Sequence, residues 1–502
     1  MRYVGFSEYY HDAAIAIIND KGQLLHASQS ERYSKKKNDP IVHDEQWDLT
    51  NQDEDTFVFY EDANVKKTHR RDMSSDEHGK QHKQNSVSAH IEIPVWESLA
   101  FDEFHEHHKS HCATAFYTRP WDDREDTVMV SIDGVGEVQT ATIYDNQFNL
   151  IKEWHYPKSV GLVYTSATTI LGLRPLEDEY VVMGLSSYGK APKEMVQWLK
   201  DWWNSCPDIA PEVAKGLRVD DPDAQSYKRA SKLRNMLAHW VKDSVYEDKD
   251  FAAGIQEFAY WAMEGIMQEA RPHGRKLCYS GGCAQNVVFN SRLPEIFDEV
   301  HIAVAPTDAG SALGTAAMTL EKETGIDKIE WSPYSGYNID REIDVKEVVD
   351  HLLEHRVCGI ANGPAEFGPR ALGNRSLIAD VRFDVKDTVN TIKRRQKYRP
   401  FAPAVLEEHA HEYFDGPMNE FMQYTSIAKH PYTSVTHVDG TARVQIVKKD
   451  CPSIFRKIIE EYYARTGIPM LLNTSLNIRG RPMVNDEKDA RLWEQQYKVK
   501  VF

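Results

Sequence analysis

The sequence contains no CxxC pair. Its six cysteines, Cys112, Cys206, Cys278, Cys283, Cys358 and Cys451, are scattered singly, which speaks against a structural zinc site or a disulfide framework. No apolar run approaches the roughly 20 residues of a membrane span. Glu8 and Asp12 fall where a secretory leader needs an apolar core, so a cytoplasmic protein without a membrane partner is expected. Positive charge is also short: 60 Lys and Arg stand against 77 Asp and Glu, a net charge of −17. That balance excludes a general nucleic-acid coat protein but not a local basic groove. Basic clusters occur at Lys35–Lys37, at Lys66, Lys67, Arg70 and Arg71, and at Lys393, Arg394, Arg395, Lys397 and Arg399. The first two read as solvated surface. What is present is an apolar share of 41% in 502 residues, too long for one ordinary core and enough for two.

Residues 2–33 read as a strand pair, Tyr3-Val4-Gly5-Phe6 and Ala13 to Ile18, joined by a polar turn and followed by the hairpin turn Asn19-Asp20-Lys21-Gly22 before Leu24 and Leu25. A similar unit recurs at 128–132, Asp133-Gly134-Val135-Gly136 and 140–143. Two strand–polar loop–strand units are what a duplicated actin/sugar-kinase-like α/β fold shows, although plain hairpins look alike. Residues 38–90 read as a long polar excursion with an apolar island at 57–60. A helical pattern is expected from Trp96 to Tyr117, helical segments at 190–250, and a helix over 251–270. Lys276–Ser280 is a short buried strand, with a helix expected after Gly281-Gly282. Pro306 to Gly314 is a turn opening a helix from Ser311 to Glu323. Residues 338–344 read as a linker before a second α/β module, which starts with the helix Val345–His355 and the strand Val357–Ala361.

Four groups of residues carry candidate chemistry. His107 and His111, in Glu106-His107-His108-Lys109-Ser110-His111, share one helix face and suit a divalent transition metal; a His-rich solvated face would look the same. Asp133-Gly134-Val135-Gly136-Glu137 follows a buried strand, where a carboxylate backed by glycines suits a metal or phosphate and also suits an ordinary Asp-Gly turn. His11-Asp12 occupies the matching loop, as a base or a cap. Gly281-Gly282 to Asn286, and Thr307-Asp308-Ala309-Gly310-Ser311, place glycines at strand ends, for a nucleotide or for packing. Finally, Arg370, Lys393, Arg394, Arg399, Asn473, Ser475 and Arg479 lie in or beside Gly/Pro-rich turns. Arginines there call for an anion; pairing with local carboxylates is the other reading, and suits Arg375 and Arg382.

At these residues the sequence resembles the O-carbamoyltransferase family of the nodulation-factor and antibiotic type. The resemblance runs, in order and over nearly the whole chain, through His11-Asp12-Ala13-Ala14, Ser30-Glu31-Arg32-Tyr33, 107–117, 133–137 and Glu179-Tyr180 to Leu185. It continues through Tyr188-Gly189, 281–286, 308–314, 366–376, 399–405 and 471–475. It implies a front module, residues 1–340, similar to the tRNA threonylcarbamoyl-transferring domain of the actin/sugar-kinase-like class. It also implies a rear α/β module, 341–502, of the double-stranded-RNA-binding-like type that makes carbamoyl-adenylates.

On that pattern Arg370, Lys393, Arg399, Asn473 and Ser475 hold carbamoyl phosphate, and ATP is the second substrate. Gly281, Gly282, Asn286, Gly310 and Gly134 bind the nucleotide. His111, Asp133 and Asp308 are metal ligands, for iron(II) or else magnesium, with His107 a further ligand or a group behind them. His11 is the base for an acceptor hydroxyl. A homodimer is compatible with this pattern. The chain departs from it at Val181, where the family places a lysine, and in 38–90 and 190–250, which point to an unusual acceptor. That acceptor is a small sugar or antibiotic-like molecule or a hydroxymethylated pyrimidine in DNA. The rival readings are a kinase-like ATPase, against which the arginines of 366–399 speak, and a non-catalytic nucleotide-binding regulator.

Overall fold

Apolar residues at both faces of Arg2–Ser7 (β1) and Ala14–Asn19 (β2) bury nearly every position of the two strands, as central strands covered on both sides require. They pair antiparallel with Gly5 opposite Ala16. Asn19 Oδ1 closes the next turn, which leads to Leu24, by accepting the N–H groups of Lys21 and Gln23 at 3.0 and 2.9 Å. The computed structural model describes residues 1–51, 53–61, 101–206, 233–240 and 246–502. They fall into two compact units. The first is Met1–Leu25, Pro40–Asn286 and Leu293–Trp331; the second is His26–Asp39, Val287–Arg292 and Ser332–Phe502.

Leu24–Gln29 (β3), Asp55–Phe59 (β4) and Glu103–Phe104 (β5) complete one sheet in the order β3-β2-β1-β4-β5. A second sheet comprises Thr127–Ile132 (β6), Gln139–Tyr144 (β7), Leu150–His155 (β8), Lys276–Ser280 (β9) and Glu299–Ile302 (β10). Its order, read from the far edge, is β8-β7-β6-β9-β10. In each sheet the central strand pairs antiparallel with its hairpin partner and parallel with the next strand. The duplication expected from the two strand–loop–strand units is thus present in the topology.

The main helices of this unit are His107–Tyr117 (α1), Val160–Ile170 (α2), Asp248–Ala270 (α3) and Asp308–Thr324 (α4). α4 packs on both α1 and β1, and glycines set how closely. A Cβ on Gly5 would lie 1.9 Å from the Ala312 carbonyl oxygen, and one on Gly314 would lie 2.1 Å from that of Ser110.

Three expectations are corrected in this unit. The apolar island is β4 within the sheet, not part of an excursion. The helix before Tyr117 starts at His107, because residues 103–104 pair with β4 and Glu106 is extended; residues 96–100 lie outside the described residues, as do Lys66, Lys67, Arg70, Arg71 and much of 207–245. α4 begins at Asp308, three residues earlier than expected, since an acidic first turn suits the helix dipole. Among the described residues no helix is long and apolar enough to cross a membrane.

The second unit pairs Tyr334–Ile339 (β11) with Gly363–Glu366 (β13), so Asn338 and Ile339 lie in a strand, not a linker. Its main sheet joins Val357–Ala361 (β12), Arg375–Ala379 (β14), Ala402–Leu406 (β15), Gln445–Val447 (β19) and Met470–Ser475 (β20), in the order β12-β14-β20-β15-β19. Phe414–Asp415 (β16), Ser426–Ala428 (β17) and Thr441–Ala442 (β18) form a small third sheet. Val345–His355 (α5) and Phe455–Thr466 (α6) cover the main sheet through Val348, Leu352, Ile360, Phe455, Ile459 and Leu471.

His301 on β10 gives the first unit an acid sensitivity. It is buried against the rings of Trp121 and Trp331 and bonds Thr118 Oγ1 at 2.9 Å. Burial, helped by the charges of Arg119 and Lys328, pushes its pKa down to about 3. The folded state therefore holds it neutral while an unfolded chain protonates it below about 6.5. The stability this gives is full above pH 6.5 and is lost as pH falls toward 3. From pH 7.5 to 5 wild type should lose about 2 kcal/mol through this group, at about 1.4 kcal/mol per pH unit. His301→Leu should flatten that part of a urea-midpoint profile; an unchanged profile refutes the assignment.

Candidate active site

α1 presents His107 and His111 on one face, the loop after β6 presents Asp133, and the first turn of α4 presents Asp308. One ligand atom from each of the four lies within 4.8 Å of all the others. His107 Nε2 is 3.3 Å from Asp133 Oδ2 and 3.6 Å from Asp308 Oδ1; His111 Nε2 is 3.6 and 3.4 Å from the same atoms. The two Nε2 atoms are 3.1 Å apart. Both Nδ1 atoms face buried partners, Glu61 Oε2 at 3.5 Å for His107 and Ser311 Oγ at 3.1 Å for His111. With Nδ1 engaged, Nε2 is the free ligand atom of each ring. Glu137 Oε1 accepts the His107 backbone N–H at 2.8 Å. His108, the third histidine of the run, turns away and meets Thr142 Oγ1 at 3.2 Å.

Charge in the cluster is strongly coupled. Burial opposes ionisation of Asp133, yet His107 and His111 outweigh it and hold the carboxyl well below its usual range. Asp308 is likewise held low, by His11, His107 and His111 against the cost of burial. Burial works against a charged His107, but Asp308, Asp133 and Glu61 lift it well above the ordinary histidine range. Two imidazoles and two carboxylates converging in a buried site form the donor set of a divalent transition metal. These residues fit such an ion, and His107 stands in the set on the same footing as His111.

His11 reaches the cluster from the β1–β2 loop. Its Nε2 is 3.6 Å from Asp308 Oδ2 and its Nδ1 is 3.2 Å from Asp12 Oδ2. Burial disfavours its charged form, but Asp308, Asp12 and Asp133 outweigh that and lift its pKa to about 9. The flanking Tyr9 and Asp12 both have left-handed backbone, at φ 78° and 54°. A bulky residue such as Tyr9 adopts that conformation only under tertiary constraint; its N–H donates to Pro40 O at 2.6 Å.

The glycine-rich motifs hold the protein's own backbone close. The N–H of Gly282 donates to Asp133 Oδ1 at 2.9 Å, so that amide is engaged by the carboxylate. Gly281 has φ 90°, and a Cβ there would meet Ile132 O at 2.4 Å. The expected helix after the pair is a four-residue 3-10 turn, Gly282–Gln285, followed by one-turn helices, too short to offer an anion a helix dipole. Asn286 exchanges hydrogen bonds with Gln256 at 3.2 and 3.3 Å. Gly310 is buried in α4 with its N–H on Thr307 O, its carbonyl on Thr114 Oγ1 at 2.7 Å, and room for no Cβ beside Ala305 O. It lets the first turn of α4 lie close against Ala305, with its carbonyl tied to α1 through Thr114. The Gly134 carbonyl accepts from Ser159 Oγ at 2.7 Å, which docks the start of α2 on the Asp133 loop.

In the second unit Lys393 is buried with Nζ donating among the Ser475 carbonyl, Ser475 Oγ at 3.2 Å, Asn477 O at 3.1 Å and Asn477 Oδ1 at 2.9 Å. Burial, then Arg395 and Arg399, push its pKa well below the lysine range. The four surrounding oxygens favour the ammonium, which alone supplies three donors. Asn473 Nδ2 bonds Ala371 O and Gln445 Oε1 at 3.0 and 2.6 Å, and its Oδ1 is buried without a hydrogen bond among the described residues.

Arg443 was not legible in the sequence, since no glycine or proline motif marks it. Burial and the charges of Arg370, Arg395 and Arg399 push its pKa down, and its Nε is buried without a hydrogen bond among the described residues. Such a gathering of guanidinium groups suits an anion. Arg375 is corrected: it donates to the backbone carbonyls of Asn485, Asn362, Gly363, Asn374 and Tyr337, not to carboxylates. Arg382 does pair with Asp380, at 2.7 Å.

Comparison with known proteins places these two sites in one context. A family model described as the carbamoyltransferase N-terminus matches residues 2–317, and one described as the carbamoyltransferase C-terminus matches 349–502. Nodulation protein NolO of Bradyrhizobium diazoefficiens is 31% identical over 429 residues, 76% of this chain and 75% of its own length. Nodulation protein NolNO of Sinorhizobium fredii is 32% identical, over 77% of this chain and 61% of its own length. Among solved structures, the activator of the 2-hydroxyisocaproyl-CoA dehydratase from Clostridium difficile with bound ADPNP overlaps 66% of this chain and all of its own. The TM-score is 0.34 and the identity 13%, a likeness too slight to carry an argument.

Proposed function

The chain belongs to the carbamoyltransferase family, and from that premise we propose an ATP-dependent O-carbamoyltransferase that works through carbamoyl-adenylate. The observation that carries the reading is His11 Nε2, set 3.6 Å from Asp308 at the edge of the His107–His111–Asp133–Asp308 cluster. A proton acceptor beside a metal-type donor set suits transfer to a hydroxyl.

In the second unit, matched by the C-terminal model, Arg370, Lys393, Arg399, Asn473 and Ser475 hold carbamoyl phosphate, and Arg443 adds a charge. Water releases orthophosphate and leaves carbamate. A carbamate oxygen then attacks the α-phosphorus of ATP, expelling pyrophosphate and forming carbamoyl-adenylate. In the first unit the adenylate lies against the Gly134 loop and the turn from Gly281 to Asn286; Gly282 and Gly310 act there through close packing. The acceptor oxygen attacks the carbamoyl carbon as His11 takes its proton, and AMP leaves. Asp12 holds Nδ1 of His11, so that Nε2 faces the reacting hydroxyl. A divalent cation, iron(II) or magnesium, held by the four ligands would polarise the carbamoyl or phosphoryl oxygen and offset the carboxylates that keep His11 protonated.

Given carbamoyl phosphate and ATP, the purified protein should release pyrophosphate without an acceptor; no nucleotide turnover would sink the reading. His11→Asn should lose transfer and spare pyrophosphate release, and equal loss of both would refute the base. Mass spectrometry for a carbamoyl gain on sugar alcohols and on hydroxymethylated DNA then separates the two acceptor classes.

A further inference from the structure

We propose that Arg32 is a positioning residue for the loop that carries Arg370, and so for carbamoyl phosphate binding; the proposal rests on the reading of the second unit given above. The motif Ser30-Glu31-Arg32-Tyr33 stands near the start of the chain, yet the segment His26–Asp39 belongs to the second unit. Arg32 is 2% exposed. Its Nη2 donates to the carbonyls of Glu366 and Gly368 at 3.2 and 3.4 Å, the two that flank Phe367, and Arg370 follows two residues later.

The loop is gripped from its other side as well. Glu366 Oε1 accepts the N–H groups of Leu372, Asn374 and Arg375 at 2.7, 2.8 and 3.1 Å. The Glu366 carboxylate is therefore a hub inside the loop, and Arg32 clamps the carbonyls outside it. Glu31, the nearer acid in sequence, is engaged by Lys37 at 2.8 and 2.7 Å and by the Asn38 N–H at 3.0 Å. Lys35 reaches Asp489, so Lys35 and Lys37 are ion-paired anchors of the segment, not the solvated surface expected of them. With Glu31 engaged, Glu366 is the principal counter-charge of buried Arg32. A buried guanidinium with Nε and Nη1 lacking hydrogen bonds among the described residues is costly. It is retained here with the two N–H groups of one nitrogen, Nη2, held in the guanidinium plane on two carbonyls; a lysine ammonium is shorter and lacks that fixed plane.

Steady-state kinetics of pyrophosphate release test this. Arg32→Lys keeps the charge facing Glu366 and loses the reach and fixed plane of Nη2. It should raise KM for carbamoyl phosphate about 10-fold, as a small misplacement of a binding group does, and leave kcat and KM for ATP within about twofold. Arg32→Met should go further, and if it does not fold, the lysine variant still decides. Because Arg32 acts through the loop of Arg370, Arg32→Lys combined with Arg370→Gln should be no worse than Arg370→Gln alone. An unchanged KM in Arg32→Lys, or additive losses in the pair, overturns the proposal. Wild type that fails to turn over carbamoyl phosphate instead sinks the functional reading, and this proposal with it.

Discussion

Asp308→Asn should strip the first unit of its metal, weakening divalent-ion binding at least about 100-fold and abolishing carbamoyl transfer. The substitution keeps shape and removes one of two charges facing the imidazoles. Asp308 Oδ1 is 3.4 Å from His111 Nε2 and 3.6 Å from His107 Nε2, and an amide nitrogen in that place would repel a cation. Metal content after dialysis and the visible spectrum with cobalt(II) would check it. A second readout needs no metal: Asp308 is the foremost group raising His11, so the His11 pKa of the metal-free variant should fall below the value of about 9. Histidine NMR resonances would follow it. Full metal occupancy in the variant would show that the four residues are an ion-pair cluster only.

Lys393→Met should abolish pyrophosphate release from carbamoyl phosphate and ATP while leaving metal binding in the first unit intact. Nζ supplies the donors for oxygens of Ser475 and Asn477. Methionine fills the space but withdraws these donor contacts, at a cost of about 1–3 kcal/mol in all, since the Ser475 carbonyl keeps the Asn477 N–H and Asn477 Oδ1 keeps the Ser475 hydroxyl. The end of β20 at Ser475 and the turn after it, which carries Asn477, would shift, so a lower urea midpoint of the second unit should accompany the kinetic loss. Undiminished pyrophosphate release would remove Lys393 from the carbamoyl phosphate site.

Much of the chemistry could be read from local spacing. His107 and His111 stand one helical turn apart, and Asp133 closes a strand whose six residues are all buried. Both signals survive because helix and strand periodicity fix side-chain direction over a few residues. The glycines carry a further meaning that spacing does not show. Gly281, Gly282 and Gly310 do mark close backbone approach, but what approaches is Ile132, Asp133 and Ala305 of the chain itself, and sequence does not distinguish a ligand from a neighbouring strand. Arg443 and Glu61 carry no local motif at all, since their partners lie far away along the chain.

The sequence by itself determined the family, the duplicated strand–loop–strand plan and the residue types that carry proton, metal and anion chemistry, because these depend on pattern and composition. Only the tertiary structure decided that His107 stands level with His111 in the four-residue cluster and that Glu61 and Ser311 face the back of each ring. It alone placed residues 26–39 in the second unit. Those facts depend on which distant segments pack together, and packing is set by the shape and burial of the whole fold rather than by neighbours along the chain.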